Sequence, residues 1–389
     1  MQNYVMKARS IAFLHSISSV TLAPHRIRSS GIHSFCKLSR FVSNPRSNLI
    51  LTSRKPCISS PSVLRMASDK VHKAAMDDVS VKGEFVRKDS AFRDFVTADG
   101  STGFKAEPNR YVLYVSLACP WAHRTLIVRA LKKLEDVIDV IVVDHYMDGE
   151  GWRFPEDESV VPGATPDKLY GFKRIRELYF KAVEGYSGRF TVPVLWDKQK
   201  ETIVNNESKE IIVMLNQEFN EFSKNPELDL FPSSKRNEIV EVSEDFYNPV
   251  NNGVYRCGFA RSQEAYSAAF VELFEKLDEL EMRLDKSRFL VGDELTLADI
   301  RLFTTLIRFD AVYVLHFKCN KKMLREYPNL YNYTKDVYQT EEIKATVNFD
   351  HIKMHYFRSH PTINPLGIVP LGPSLNFDEP HDRTTRSYP

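Results

Sequence analysis

The sequence predicts an α/β domain followed by an all-helical domain, with a basic leader before them and an irregular tail after. Three observations carry that prediction. Between Tyr111 and about Phe219, short β-branched and aromatic runs alternate with helix-compatible segments. Beyond Ser262 the apolar spacing becomes that of long amphipathic helices, with no convincing strand. Residues 225–234, rich in Pro, Asn and Ser, read as a linker between the two.

The leader comes first. Residues 1–66 hold ten Lys or Arg, no Asp or Glu, many Ser, and no apolar run long enough for a signal-peptide core or a membrane span. That composition reads as a disordered transit peptide cleaved near Arg65-Met66-Ala67. Its Ser richness favours the chloroplast stroma, with the mitochondrion as the alternative. Without the leader, 43 basic residues face 51 acidic ones, a net charge of about −8. A basic nucleic-acid surface is therefore not expected, and neither is a membrane span. Of the five cysteines, Cys119, Cys257 and Cys319 remain, at spacings that give neither a disulfide framework nor a zinc pattern. Residues 67–105 form an N-terminal arm.

The α/β domain spans 106–224. A strand at Tyr111 to Ser116 hands over at Cys119-Pro120-Trp121-Ala122 to a helix carrying Leu126, Val128, Ala130, Leu131 and Leu134. Pro120 suits the first helical position, and the free N–H groups and dipole of a helix start favour a thiolate over a thiol. Cys119 is thus a nucleophile candidate, against the reading as a buried structural cysteine. Ala122 stands where a C-x-x-C motif would have its second thiol, so a mixed disulfide on Cys119 needs an external thiol to resolve it. A strand at Val137 to Val143, a helix near 167–183, a hairpin of Val192 to Trp196 with Thr202 to Val204, and a helix from Glu207 to Phe219 complete a thioredoxin-like layout.

The helical domain spans 235–361, clearest at Ser262 to Leu284 and Thr296 to Val314. At the second start, Thr296 can cap the Asp299 N–H while Asp299 reaches back, and Leu295 can staple to Ile300. Residues 362–389, with repeated Pro and Gly, form the irregular tail.

Two further elements carry chemistry. Val192-Pro193 stands before a strand where a cis proline would turn the Val192 N–H and C=O toward an extended peptide; an ordinary trans proline is the alternative. Asn206-Glu207-Ser208 opens the next helix, where Ser208 and neighbouring N–H groups can bind a carboxylate and Glu207 an ammonium. In order after Cys119, these elements suit the γ-glutamyl end of glutathione.

Across about Asp94 to Leu371 the chain resembles the glutathione transferase superfamily, and more closely its xi class, the glutathionyl-hydroquinone reductases. The resemblance rests on Cys119-Pro120-Trp121-Ala122-His123-Arg124-Thr125, Gly151-Trp152, Thr191 to Asp197, Asn206-Glu207-Ser208, Asn251-Asn252-Gly253-Val254-Tyr255, Arg308-Phe309-Asp310 and His355 to His360. It implies the glutathione transferase fold, a homodimer, and glutathione as co-substrate without a metal. It implies Cys119 as nucleophile, with Trp152, Arg189, Phe190, Thr191, Val192, Glu207 and Ser208 holding glutathione. It also implies that Tyr255, Tyr313 and Tyr356 serve the chemistry: Tyr255 as general acid, the other two as hydrogen-bond donors to the thiolate.

The activity so implied is reduction of an S-glutathionyl-hydroquinone by thiolate attack on its sulfur, with a second glutathione resolving the mixed disulfide. A general glutathione thiol transferase or dehydroascorbate reductase would use the same cysteine. A non-catalytic binding protein would be expected to have lost the thiol or the peptide-binding elements, and both are present. His351 and His355, four apart, could face one metal, but no third ligand has the right spacing, so packing is the expected role.

Overall fold

The computed structural model of the chain describes residues 79–389. The transit-peptide reading and its cleavage position lie outside those residues.

A four-stranded sheet ordered β2-β1-β5-β6 organises the first half. Its inner strand β1 (Tyr111–Val115) is buried at every position, as its unbroken apolar run requires. It pairs in parallel with β2 (Asp139–Val142), register Val112 to Asp139, and antiparallel with β5 (Val194–Asp197), register Tyr111 to Asp197. Antiparallel β6 (Thr202–Asn205) completes it, with a register irregularity between Leu195 and Trp196. The crossover between the parallel pair is α1 (Pro120–Leu131), so the β1–α1 turn opens at the carboxyl end of an inner strand, where α/β sheets place their sites. A two-residue hairpin of β3 (Met147–Asp148) and β4 (Gly151–Trp152) fills the stretch around Trp152; Gly151, at φ +94°, supplies the left-handed turn.

Two helices of this half differ from the sequence reading. The helix expected near 167–183 is confined to α2 (Ile175–Ala182). Asp167 captures the N–H groups of Leu169 and Phe172 and the hydroxyl of Tyr114, which folds 167–172 into a turn with Gly171 at φ +71°. The next helix, α3 (Ser208–Gln217), begins one residue late because Glu207 is its N-cap, accepting from Lys209 N–H at 3.2 Å.

The arm is not free of the domain. Asp94 N–H donates to Val204 O at 3.0 Å and Arg93 bridges to Asn205, which covers the exposed edge of β6. The linker is docked as well: Lys132 donates to the carbonyls of Pro226 and Leu228, Asn225 to Leu131 O, and Asn216 to Asp229. Its prolines and asparagines serve a fixed path rather than slack.

The helical half contains α4 (Arg236–Phe246), α5 (Gly253–Gly258), α6 (Gln263–Leu284), α7 (Leu297–Arg308), α8 (Val314–His316), α9 (Pro328–Tyr338), α10 (Glu341–Lys344) and α11 (Phe349–Ser359). The helix expected over Thr296 to Val314 is interrupted by a π-helical turn at Phe309–Tyr313, and a second such turn, Tyr247–Asn251, joins α4 to α5. Each inserts an extra residue that re-aims the side chains after it.

The α7 start holds the capping box read from the sequence and adds further bonds to it. Asp299 is its hub, accepting from the Thr296 N–H and hydroxyl, both at 2.8 Å, from Leu290 N–H at 2.9 Å and from Tyr333 at 3.0 Å. The tail carries no helix or strand, as expected, yet it is anchored: buried Arg383 donates to the carbonyls of Leu284, Ser287 and Arg288 just past the end of α6.

Candidate active site

Cys119 is the N-cap of α1, in extended backbone (φ −76°, ψ 121°), with Pro120 at the first helical position. Its carbonyl starts the helix by accepting from His123 N–H at 2.9 Å. The thiol donates to Val192 O at 3.6 Å. Four groups favour a thiolate there, the N–H groups of Ala122 and Trp121 and the guanidinium charges of Arg308 and Arg87, but burial of the sulfur outweighs them and pushes the thiol up. The helix start thus favours the thiolate as expected, and desolvation opposes it.

Arg308, fully buried, holds the turn that presents Cys119. It donates to Ala118 O at 2.9 Å, to Leu117 O at 3.2 Å and to Thr304 O at 2.7 Å, and meets His123 Nδ1 at 3.0 Å. The catalytic turn of the first half is thus tied to α7 of the second.

One cavity gathers Cys119, Trp152, Arg189, Thr191, Val192, Glu207, Ser208, Tyr255 and Tyr356. The Val192-Pro193 bond is cis, and Tyr179 locks the residue before it, its hydroxyl donating to Thr191 O at 2.9 Å and accepting from Thr191 N–H at 3.2 Å. Buried Arg124 supports the opposite wall, reaching Ser208 Oγ at 3.4 Å and Asn251 Oδ1 at 3.0 Å. Phe190 is not on the cavity wall; it packs with Tyr179, Phe180 and Tyr186 behind it.

The three tyrosines form a chain. Tyr356 Oη lies 2.5 Å from Tyr255 Oη and 3.0 Å from Tyr313 Oη. Burial raises all three phenols well above their ordinary value, so each is a neutral hydroxyl. Neither Tyr313 nor Tyr356 hydrogen-bonds Cys119 among the described residues, which corrects their reading as direct donors to the thiolate: their hydroxyls are committed to the chain. Tyr313 stands behind Tyr356, off the cavity wall.

The histidine pair has backbone partners. His351 Nε2 lies 2.8 Å from Pro162 O, and His355 Nδ1 lies 2.9 Å from His145 O while its ring stacks on Trp152 at 4.6 Å. Burial pushes His355 down to about 3, leaving a neutral ring. No group of three or more His, Cys, Asp or Glu suited to a metal lies among the described residues.

Sequence reasoning missed the arm. Arg87, Lys88, Asp89 and Ser90 line the cavity, and Ser90 Oγ donates to Glu207 Oε2 at 3.1 Å. Arg87 lies with its guanidinium carbon 3.8 Å from the Trp121 ring centroid, and its Nε donates to Asn252 Oδ1 at 2.7 Å. Nothing in the local sequence marks these residues, because the contact is made by a long return of the chain.

Known proteins match the chain in both of its halves. Residues 118–218 match the glutathione S-transferase N-terminal domain and residues 263–336 the C-terminal domain. A glutathionyl-hydroquinone reductase of Escherichia coli (strain K12), YqjG, is 53% identical over 321 residues, covering 81% of this chain and 97% of the relative. Another, PcpF of Sphingobium chlorophenolicum, is 48% identical over 298 residues, covering 77% and 92%. The glutathione-bound structure of the E. coli protein superposes with a TM-score of 0.74 at 53% identity, over 76% of this chain and 97% of that one. The xi transferase of Phanerochaete chrysosporium gives 0.73 at 51%, over 76% and 94%.

Proposed function

Since the chain belongs to the glutathione transferase family, we propose that its cavity carries out glutathione-dependent reduction of S-glutathionyl-hydroquinones to hydroquinones. The observation that carries this is the meeting, in one cavity, of a single thiol at a helix start, a peptide-binding wall from the α/β half and a chain of neutral phenols from the helical half. Relatives about half identical along most of their length are glutathionyl-hydroquinone reductases.

Cys119 gives up its proton when substrate binds and attacks the glutathionyl sulfur. The new S–S bond forms as the carbon–sulfur bond breaks, and Tyr255 supplies the proton that the ring carbon takes. Free glutathione then attacks the mixed disulfide, regenerating Cys119 and releasing oxidised glutathione. Glu207 receives the ammonium and Ser208 the carboxylate of the γ-glutamyl group, the Val192 backbone holds the peptide, and Trp152, Arg189 and Thr191 shape its seat, with Phe190 packed behind them. Tyr356 and Tyr313 act through Tyr255 as a proton chain.

The leader's composition supports delivery to a plastid, and the family resemblance supports a homodimer. The test of the activity is product analysis: with an S-glutathionyl-hydroquinone and glutathione, hydroquinone and oxidised glutathione should form in equal amounts. A general thiol transferase would instead favour small mixed disulfides and leave the aromatic thioether nearly untouched.

A further inference from the structure

The cavity holds two N–H donors that the mechanism above does not use. Arg87 Nη2 and Trp121 Nε1 are both buried and have no hydrogen-bond partner among the described residues. Both residues line the cavity that contains Cys119 and Tyr255. They are also stacked on each other, with the Arg87 guanidinium carbon 3.8 Å from the indole centroid and 5.2 Å from the Tyr255 ring centroid. The guanidinium cannot swing freely: Asn252 takes its Nε at 2.7 Å and Trp121 covers its face. Two unsatisfied buried donors, one of them on a half-buried positive charge, mark a place for an oxyanion, because a buried donor left unpaired is costly and an ionised acceptor would satisfy it most strongly.

We propose that Arg87, with the indole N–H of Trp121, forms an oxyanion site that receives the ring oxygen of the departing hydroquinone. The inference rests on the hydroquinone reading above and adds where the charge goes. Through the phenol chain, Tyr255 delivers a proton to the sulfur-bearing carbon and the neighbouring hydroxyl gives one up, which leaves that ring position as a ketone. When Cys119 sulfur bonds to the glutathionyl sulfur, the carbon–sulfur pair returns through the ring to that oxygen. The negative charge that began on Cys119 ends as a phenolate, and a solvent proton completes the hydroquinone. A donor fixed in advance where charge develops lowers that barrier, and loss of one such donor typically costs about 10²–10³-fold in rate.

The competing use of Arg87 is a carboxylate of glutathione, and the test separates them. Wild type, Arg87→Met and Arg87→Lys are assayed on an S-glutathionyl-hydroquinone and on the mixed disulfide of glutathione with 2-mercaptoethanol, whose leaving group has no ring oxygen. Wild-type turnover of the thioether reports on the function itself; the variant-to-wild-type ratio on the two substrates reports on Arg87. The expected result for Arg87→Met is a fall in kcat on the thioether about 10²-fold greater than on the disulfide, which loses only the support that the Arg87 charge gives the Cys119 thiolate. Arg87→Lys should recover part of the loss, since it keeps the charge without the second donor.

A second readout needs no turnover. Bound 4-nitrophenol, followed by its phenolate absorbance, should ionise about 1 pH unit lower on wild type than on Arg87→Met. Equal losses on both substrates, or a raised KM for glutathione with kcat intact and no shift of the bound nitrophenol, would overturn the proposal.

Discussion

The two walls of the cavity are built from opposite materials. The α/β wall uses backbone and short polar groups at chain reversals: the α1 start, the cis Val192-Pro193 bond and the Glu207 cap. The helical wall uses large buried rings, with Tyr255, Tyr313 and Tyr356 linked by their hydroxyls and packed against Phe317. On the proposed function, the first wall holds the peptide whatever is attached to its sulfur, whereas the second has a use only when an aromatic leaving group is present. Damage to the two walls should therefore separate by substrate and by kinetic constant.

The largest effect belongs to the group between them. Cys119→Ser should reduce turnover of an S-glutathionyl-hydroquinone by at least about 10⁴-fold. Glutathione affinity, measured by calorimetry, should stay within about threefold, because the peptide wall is untouched. Substantial residual turnover would break the comparison at its centre.

Tyr255→Phe tests the aromatic wall alone. It keeps the ring that packs on Trp121 at 4.9 Å and removes the proton, so kcat for the thioether should fall by roughly 10²–10⁴-fold. The rate of Cys119 alkylation by iodoacetamide should hardly change. If that rate falls in step with kcat, Tyr255 supports the thiolate and is not the acid.

The resting thiol gives a pH prediction. Because burial raises it, the thiolate fraction is small at neutral pH, and alkylation should climb with pH to a midpoint above the ordinary cysteine value of about 8.5. Arg308→Met removes a charge that opposes that rise, so its midpoint should lie higher still, while Arg308→Lys should restore part of the difference. An unchanged midpoint would make Arg308 a purely structural clamp.

Acid should act on the aromatic wall through its histidines. His355 and His316 are buried neutral, with folded values of about 3 and about 4 against about 6.5 in an open chain. The unfolded chain then binds more protons between those limits, so stability is complete above pH 6.5 and is lost as pH falls toward 4. Tm measured across that range should decline, and His355→Gln should make the decline shallower. The same slope in the variant would remove His355 from the account.

The smallest effect lies away from both walls, where Asp299→Ala should cost about 3 kcal/mol by urea unfolding. It strands the Thr296, Leu290 and Tyr333 donors without touching the cavity. A matching loss of affinity for glutathione would show that the α7 start also shapes the site.

This contrast also explains what the sequence could tell. The peptide wall was legible because its parts are local: Pro120 after Cys119, Pro193 after Val192 and Ser208 after Glu207 each carry their geometry in adjacent residues. The phenols were identified as residues but not as a chain, since Tyr255, Tyr313 and Tyr356 meet only when three separate helical segments pack, with one π-helical turn preceding Tyr255 and another ending in Tyr313. Arg87 was invisible for the same reason, being 34 positions before Trp121 and 165 before Asn252. The linker and the irregular tail were legible as such, but not their anchoring, because Pro, Asn and Gly describe an irregular path without saying what holds it. The helix start that favours a thiolate was legible at Cys119, whereas the burial that pushes the thiol up is not written in the local sequence.

The most direct measurement is a single turnover without free glutathione. Enzyme mixed with one equivalent of an S-glutathionyl-hydroquinone should release one equivalent of hydroquinone and carry one glutathionyl group on the Cys119 peptide by mass spectrometry. Hydroquinone released with Cys119 unmodified, or the adduct found on Cys257 or Cys319 instead, would contradict the account.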